Sequence, residues 1–317
     1  MTINKRRSFI VGLKSTKLSI KESKFLKKYK PWGVILFSRN IKNIKQTKKL
    51  TQNIKKIFKD KNYPILIDQE GGRINRFNEI IDLSKFTSEY FGTMYKKKIN
   101  NFYRYYSLFI NQISYLMIEM GININTVPVL DVRRKKSNNI IGDRSFSSNA
   151  KIVNKIGKFC IKNFNNNKIG TVIKHIPGHG LAKVDSHKST PIVNMSIDKL
   201  NKIDFYPFKR NKSLFAMTAH IIYQEIDPKN TATHSKKVIS TIRNKIRFKN
   251  LLITDDISMK SLKYSTKLNT IKAFEAGCNI VLHCNANYNE MITVAKNSPL
   301  INSFIMKKTS QFYKNLS

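Results

Sequence analysis

Three cysteines (Cys160, Cys278, Cys284) stand among 317 residues. An odd number without CxxC spacing offers no disulfide framework, which suits a reducing, cytoplasmic setting. Long apolar runs are missing too. Nothing approaches the roughly 18–20 residues a bilayer span needs, so no membrane partner is expected. Behind the basic start, the apolar piece Phe9–Leu13 is too short for a signal-peptide core. There is no Gly/Ser/Pro linker and no fixed-period repeat, so a single domain over 1–317 is expected, with its core at about 8–290 and a helical tail to 317. Acidic residues are scarce as well: 19 Asp and Glu face 59 Lys and Arg, a net charge of +40. Such a balance can attract phosphates. Yet arginine accounts for 12 of the 59 basic residues, and the lysines scatter without aromatic-interleaved patches. Lysine, isoleucine and asparagine share AT-rich codons, so drift in genome composition would yield this charge without selection for binding. A monomer with no nucleic-acid partner is the expectation.

What is present is a recurring alternation. Short apolar runs end in polar residues: "SFIVGL" (8–13), "WGVILFSRN" (32–40), "YPILIDQEGG" (63–72) and "INTVPVLDVRR" (124–134). They continue with "GTVIKHIPGHG" (170–180), "SLFAMTAH" (213–220), "LLITDDIS" (251–258) and "NIVLHCNAN" (279–287). Between them, 41–59, 101–120 and 151–164 carry helical spacing, and "NTIKAFEAG" ends on Gly277, a helix stop. Eight strands alternating with helices predict a parallel sheet, and the length fits a closed (β/α)8 TIM barrel of α/β class. An open doubly wound sheet lacks its GxGxxG after the first strand. In a barrel, Asp68, Asp131, His175 and Asp255, each just past or near a strand end, would gather at one mouth.

Half of the six histidines lie in "IKHIPGHGLAKVDSHKSTP" (173–191). His175 and His179 have HxxxH spacing, but Pro177, Gly178 and Gly180 oppose the helix that would aim both at a metal. His179, between two glycines, reads as a loop brace. Asp185 and His187 are two apart, so the carboxylate can fix the imidazole tautomer and strengthen it as a base. Asp255 and Asp256 follow a buried strand; adjacent in extended chain, they point opposite ways and cannot share one role. In "IDQEGGRINRF" (67–77), Asp68 and the arginines could bond sugar hydroxyls, while a surface ion pair at a turn would look alike.

Together, "IDQEGGRINRF", "GDRSF", "KHIPGHG" followed by "DSH", "TDDISM" and "AGCNIVLHCN" resemble, in content and order, the bacterial β-N-acetylglucosaminidases of glycoside hydrolase family three, over roughly residues 8–290. The likeness is strongest to the branch working in cytoplasmic peptidoglycan recycling. By this resemblance the fold is a (β/α)8 barrel, Asp255 is the catalytic nucleophile, His187 the acid/base and Asp185 its partner. Asp68, Arg76, Arg144, Lys174 and His175 match positions that hold the N-acetylglucosamine unit. Ile176 stands where Phe is usual, and "TATHS" (231–235) replaces a more apolar stretch.

The resemblance implies retaining hydrolysis with no metal or organic cofactor. Asp255 would attack the anomeric carbon while His187 protonates the leaving oxygen, then serves as base for water. The implied substrate is N-acetylglucosamine β-linked to 1,6-anhydro-N-acetylmuramic acid in muropeptides. Phosphorolysis is an alternative, because a histidine acid/base does not repel phosphate. Substrate-assisted hydrolysis is disfavoured, since it leaves the Asp-Ser-His stretch without a use. A basic nucleic-acid-binding protein is the alternative of another class.

Overall fold

The eight apolar runs become eight parallel barrel strands. The structure, a computed structural model, describes residues 3–134, 140–182 and 189–316. Its strands are β1 (Arg7–Gly12), β2 (Pro31–Leu36), β3 (Ile65–Ile67), β4 (Ile124–Asn125), β5 (Gly170–Ile176), β6 (Ile192–Val193), β7 (Phe215–Thr218), β8 (Ile222–Tyr223), β9 (Leu251–Asp256) and β10 (Ile280–His283). Among the described residues, β1-β2-β3-β4-β5-β7-β9-β10 close on themselves into a barrel, while β6 and β8 pair apart as a small ribbon. The helices are α1 (Ile20–Tyr29), α2 (Ile44–Phe58), α3 (Ser88–Lys97), α4 (Ile99–Glu119), α5 (Ala150–Asn166), α6 (Ile197–Lys202), α7 (Lys236–Asn244), α8 (Thr266–Ala276), α9 (Tyr288–Asn297) and α10 (Ser303–Leu316). The chain has the expected α/β barrel fold.

Strand periodicity divides the apolar residues between two layers. Ile10, Ile35, Leu66, Val172, Phe215 and Ile253 point inward and fill the barrel. Phe9, Val11, Val34, Ile65 and Ile173 point outward beneath the helices. Both faces of each strand are therefore buried, which is why the strands read as continuous apolar runs. The chain past residue 290 takes part in this core. Phe312 of α10 packs edge-on against Phe215 with ring centres 5.5 Å apart. The Trp32 indole N–H donates to Thr309 Oγ1 at 2.9 Å. These contacts stopper the barrel at the strands' N-terminal ends, leaving the other end open.

Polar residues set the helix boundaries. Ser19 and Glu22 form a reciprocal capping box on α1, and Asn43, Asn149 and Ser265 cap α2, α5 and α8. Each cap is worth about 1 kcal/mol. Helix α8 ends on Gly277 at φ 110°, as the sequence stop predicts.

Candidate active site

Because every barrel strand is parallel, all eight C-terminal ends meet at one rim, where side chains distant in sequence converge. A cavity there opens to solvent and spans about 540 Å³ of space, open solvent included. Asp68, Arg76, Arg144, Lys174, His175 and Asp255, all singled out from sequence, line it. Glu70, His179, Ile74, Ile140, Ile141 and Met217 complete the lining. Asp185 and His187 lie in 183–188, outside the described residues. The Ala182 N–H donates to the His179 carbonyl at 3.2 Å, and the Thr190 hydroxyl to the Ser261 carbonyl at 2.8 Å.

One wall is an ionic lattice centred on Lys174. Its buried ammonium reaches Asp68 Oδ1 at 3.0 Å, Glu70 Oε1 at 2.7 Å and Thr126 Oγ1 at 2.9 Å. Three N–H donors thus meet three acceptors. Arg144 grips Glu70 with two bonds, of 2.7 and 2.8 Å. The Thr126 hydroxyl bonds Asp68, and Arg76 Nη2 lies 3.6 Å from Asp68 Oδ2. Burial disfavours charge on Asp68, yet Lys174 and Arg76 hold it well below the usual carboxylate range. Burial likewise opposes Glu70, but Arg144 and Lys174 bring it down to about 2. Lys174, despite burial, is raised by Asp68 and Glu70. All these groups stay charged. The buried Arg76 Nε has no hydrogen-bond partner among the described residues.

The loop carrying Asp68 and Glu70 is held by its own amides. Gln69 Oε1 accepts the Arg76 N–H at 2.7 Å, and Asn125 bonds the Gln69 backbone in both directions. Gly71 turns the chain at φ 92°, where an added Cβ would fall 2.4 Å from the Phe86 carbonyl oxygen. Only glycine fits that turn.

The opposite wall carries the histidines. Asp131, fully buried, accepts His175 Nδ1–H at 2.7 Å and the His179 backbone N–H at 2.6 Å. Burial works against the Asp131 charge, but His175 and His179 hold the group below its ordinary range. With Nδ1 so engaged, His175 turns Nε2 toward Asp255 Oδ2, 3.9 Å away. His179 braces the loop as its glycine flanks suggest, and it also lines the cavity. Burial and the neighbouring His175 push it down to about 4, so it is neutral at pH 7.

The two aspartates of "TDD" separate as strand geometry requires. Asp256 turns away and accepts from Ser258 N–H and Oγ–H and from the Cys284 N–H, at 3.1, 2.8 and 3.2 Å. Asp255 faces the cavity with its Oδ1 receiving the Asp256 N–H at 2.8 Å. Burial would raise it, but His175, His220 and that N–H hold it below the usual carboxylate range. It is an ionised carboxylate at the cavity wall, the state a nucleophile requires.

Sequence reading missed three contributors. Glu70 completes the lattice, Thr126 ties Asp68 to Lys174, and His220 supports the aspartate pair. His220 Nε2 meets the Asp256 carbonyl at 3.0 Å, so that nitrogen carries the proton and Nδ1 accepts the Thr233 hydroxyl at 2.7 Å. Thr233 lies inside "TATHS", and that departure is therefore two hydrogen bonds, through His220, from the strand end carrying Asp255. Among the described residues, no group of three His, Cys, Asp or Glu is placed to hold a metal ion. No described helix is long and apolar enough to cross a membrane.

A closed parallel barrel thus gathers carboxylates, guanidiniums and histidines at its mouth, the end where enzymes of this architecture carry their active sites. The sequence matches the glycosyl hydrolase family 3 N-terminal domain over residues 8–313. The chain belongs to that family and is a glycoside hydrolase. It is 31% identical over 288 residues to a beta-hexosaminidase of Haemophilus ducreyi, covering 87% of this chain and 80% of that one. It is 30% identical over 282 residues to beta-hexosaminidase A of Pseudoalteromonas piscicida, covering 82% of this chain but only 47% of that protein, about half its length. Among solved structures, NagZ from Neisseria gonorrhoeae in complex with N-trifluoroacetyl-D-glucosamine superposes with a TM-score of 0.87. That pair is 27% identical, and the match covers 97% of this chain and 90% of the other.

Proposed function

We propose that the protein is a retaining exo-β-N-acetylglucosaminidase whose chain, 1–317, works as one catalytic domain. The single observation that carries this is the ionised Asp255 carboxylate, held at the cavity wall with His175 Nε2 3.9 Å away and facing the Lys174 lattice. Asp255 attacks the anomeric carbon and forms a glycosyl ester. His187, partnered by Asp185, gives a proton to the leaving oxygen and then takes one from the water that cleaves the ester. Asp68 and Arg76 bond sugar hydroxyls. Lys174 and Arg144 hold Asp68 and Glu70 charged and in place, and His175 contacts the sugar near the reacting carbon. A histidine suits the double role: its ordinary pKa of about 6.5 leaves both forms available near neutrality, and a carboxylate partner favours the protonated one.

The further reading is N-acetylglucosamine release from 1,6-anhydro-muropeptides in cytoplasmic cell-wall recycling. Its support is the residue-by-residue likeness of the motifs and the beta-hexosaminidase relatives. Turnover of a nitrophenyl N-acetyl-β-glucosaminide, set against the glucoside lacking the acetamide, tests the activity. Hydrolysis of the first and not the second is expected. Equal turnover of both, or of neither, overturns the reading. Faster turnover in phosphate than in inert buffer, with glycosyl phosphate as product, would make the enzyme a phosphorylase instead.

A further inference from the structure

The run "WGVILFSRN" ends in a turn at the barrel rim that takes no direct part in the proposed reaction. Phe37 follows β2 and opens that turn, with Ser38–Asn40 as a single 3-10 turn behind it. The turn is firmly held. The Phe37 N–H donates to Asn40 Oδ1 at 2.9 Å, and the buried Asn40 amide donates to the Leu13 and Ser15 carbonyls at 2.9 Å each. Two guanidiniums lie over the Phe37 ring, Arg39 4.6 Å and Arg76 5.2 Å from its centre. Phe37 does not itself line the cavity, whereas Arg76 does.

The two cations differ in what else holds them. Arg39 Nε donates to the Leu13 carbonyl at 2.8 Å, and Nη2 donates to the Cys284 carbonyl. Gly12 leaves room for that reach, since a Cβ there would fall 2.9 Å from Arg39 Nη2. Arg76 is held differently. Its Nε has no partner among the described residues, and Nη2 lies 3.6 Å from Asp68 Oδ2, past hydrogen-bond length. The Arg76 cation adds to burial in lowering Arg39 from its ordinary value, so the two like charges feel each other. The negative face of a ring within about 6 Å of a cation attracts it and offsets such repulsion. It does so without using any of the guanidinium's N–H donors.

We propose that Phe37 is a positioning residue for substrate binding: its ring holds the Arg76 guanidinium at the cavity wall and leaves the N–H donors for the sugar. This rests on the assignment of Arg76 to the sugar hydroxyls in the proposed function. A hydroxyl contact made alike in the bound substrate and in the transition state governs KM and leaves kcat nearly alone. Loss of the ring is therefore read in KM. Leucine keeps the apolar bulk but has no negative face, and tyrosine keeps both.

Kinetics on a nitrophenyl N-acetyl-β-glucosaminide test the proposal, with inhibition by free N-acetylglucosamine as a second measure of affinity. Phe37→Leu should raise KM and the inhibition constant about three- to tenfold, with kcat within about twofold of wild type. Phe37→Tyr should stay near wild type. Arg76→Met should weaken binding more, and adding Phe37→Leu to it should cost little further, because the ring acts through the guanidinium. Phe37→Met repeats the measurement if the leucine variant fails to fold. A wild-type KM in the variant lacking the ring overturns the positioning role, as does a tyrosine variant as weak as the leucine one. So does a Phe37→Leu loss that persists in full beside Arg76→Met. If Arg76→Met itself leaves KM unchanged, the assignment of Arg76 is wrong and the role of Phe37 falls with it. Wild-type turnover, measured first, keeps either failure apart from failure of the proposed activity.

Discussion

Replacing Glu70 by glutamine keeps the shape of the lattice and removes one charge. Glu70 is buried and bonded to two cations, Arg144 at 2.7 and 2.8 Å and Lys174 at 2.7 Å. Its carboxyl, held down to about 2 from the ordinary glutamate value of 4.5, sets the size of the effect. Converted by linkage, that depression contributes about 3 kcal/mol at neutral pH. Breaking a buried ion pair by removing one partner costs a similar amount, about 3–5 kcal/mol. Because the folded pKa is depressed, this stability is fully present above the unfolded value. It is lost as pH falls from about 4.5 toward 2, shrinking by more than half by pH 3. Glu70→Gln should thus lower the melting temperature by roughly 5–8 °C at pH 7. The gap to wild type should close progressively in urea titrations run from pH 5 to pH 3. A variant melting within about 1 °C of wild type at pH 7 would refute the view that Glu70 and its two cations form one coupled unit.

Three further outcomes follow from the site. Asp131→Asn weakens a charge-assisted bond worth about 1.5–3 kcal/mol, so kcat/KM should fall roughly 10- to 100-fold and the melting temperature should fall as well; unchanged kinetics would remove Asp131 as the residue positioning His175. His187→Ala should lose about 10²–10⁴-fold on a disaccharide, whose leaving group needs a proton, while azide restores turnover of the nitrophenyl substrate and yields the β-glycosyl azide. Equal losses on both substrates without azide rescue would make His187 a binding residue. If the lysine excess is compositional drift, kcat/KM for a neutral substrate should change less than about twofold between low and physiological salt, since steering acts on charged ligands.

The eight strands were legible because each is buried on both faces, so burial alone marks them as apolar runs. Their lengths were not. In "INTVPVLDVRR" only Ile124 and Asn125 form β4, because Pro128 has no N–H to give the ladder. Helices α2, α4 and α5 showed in their periodicity. Helix α7, nine residues long with three buried apolar positions, lies below what a window of eleven or more can detect. The tail was read as helical, but its part in the core was not, although Ile305, Thr309 and Phe312 stand at i, i+4 and i+7. Within the site, Asp68 and Asp255 were visible as carboxylates ending buried strands. Glu70 had a signal that went unused: two residues beyond Asp68 in extended chain, it shares the same face. Thr126 and His220 had none, since their role depends on which strands become neighbours.

The central claim is that Asp255 forms a covalent bond to the sugar, and intercepting that bond tests it most directly. A 2-acetamido-2-deoxy-5-fluoro glycosyl fluoride slows both steps and, with its good leaving group, lets the intermediate accumulate. Peptide mass spectrometry of the inactivated protein should place one sugar on Asp255, and Asp255→Asn should take up none while melting like wild type. A label on Asp256, or full turnover by the asparagine variant, would contradict the account.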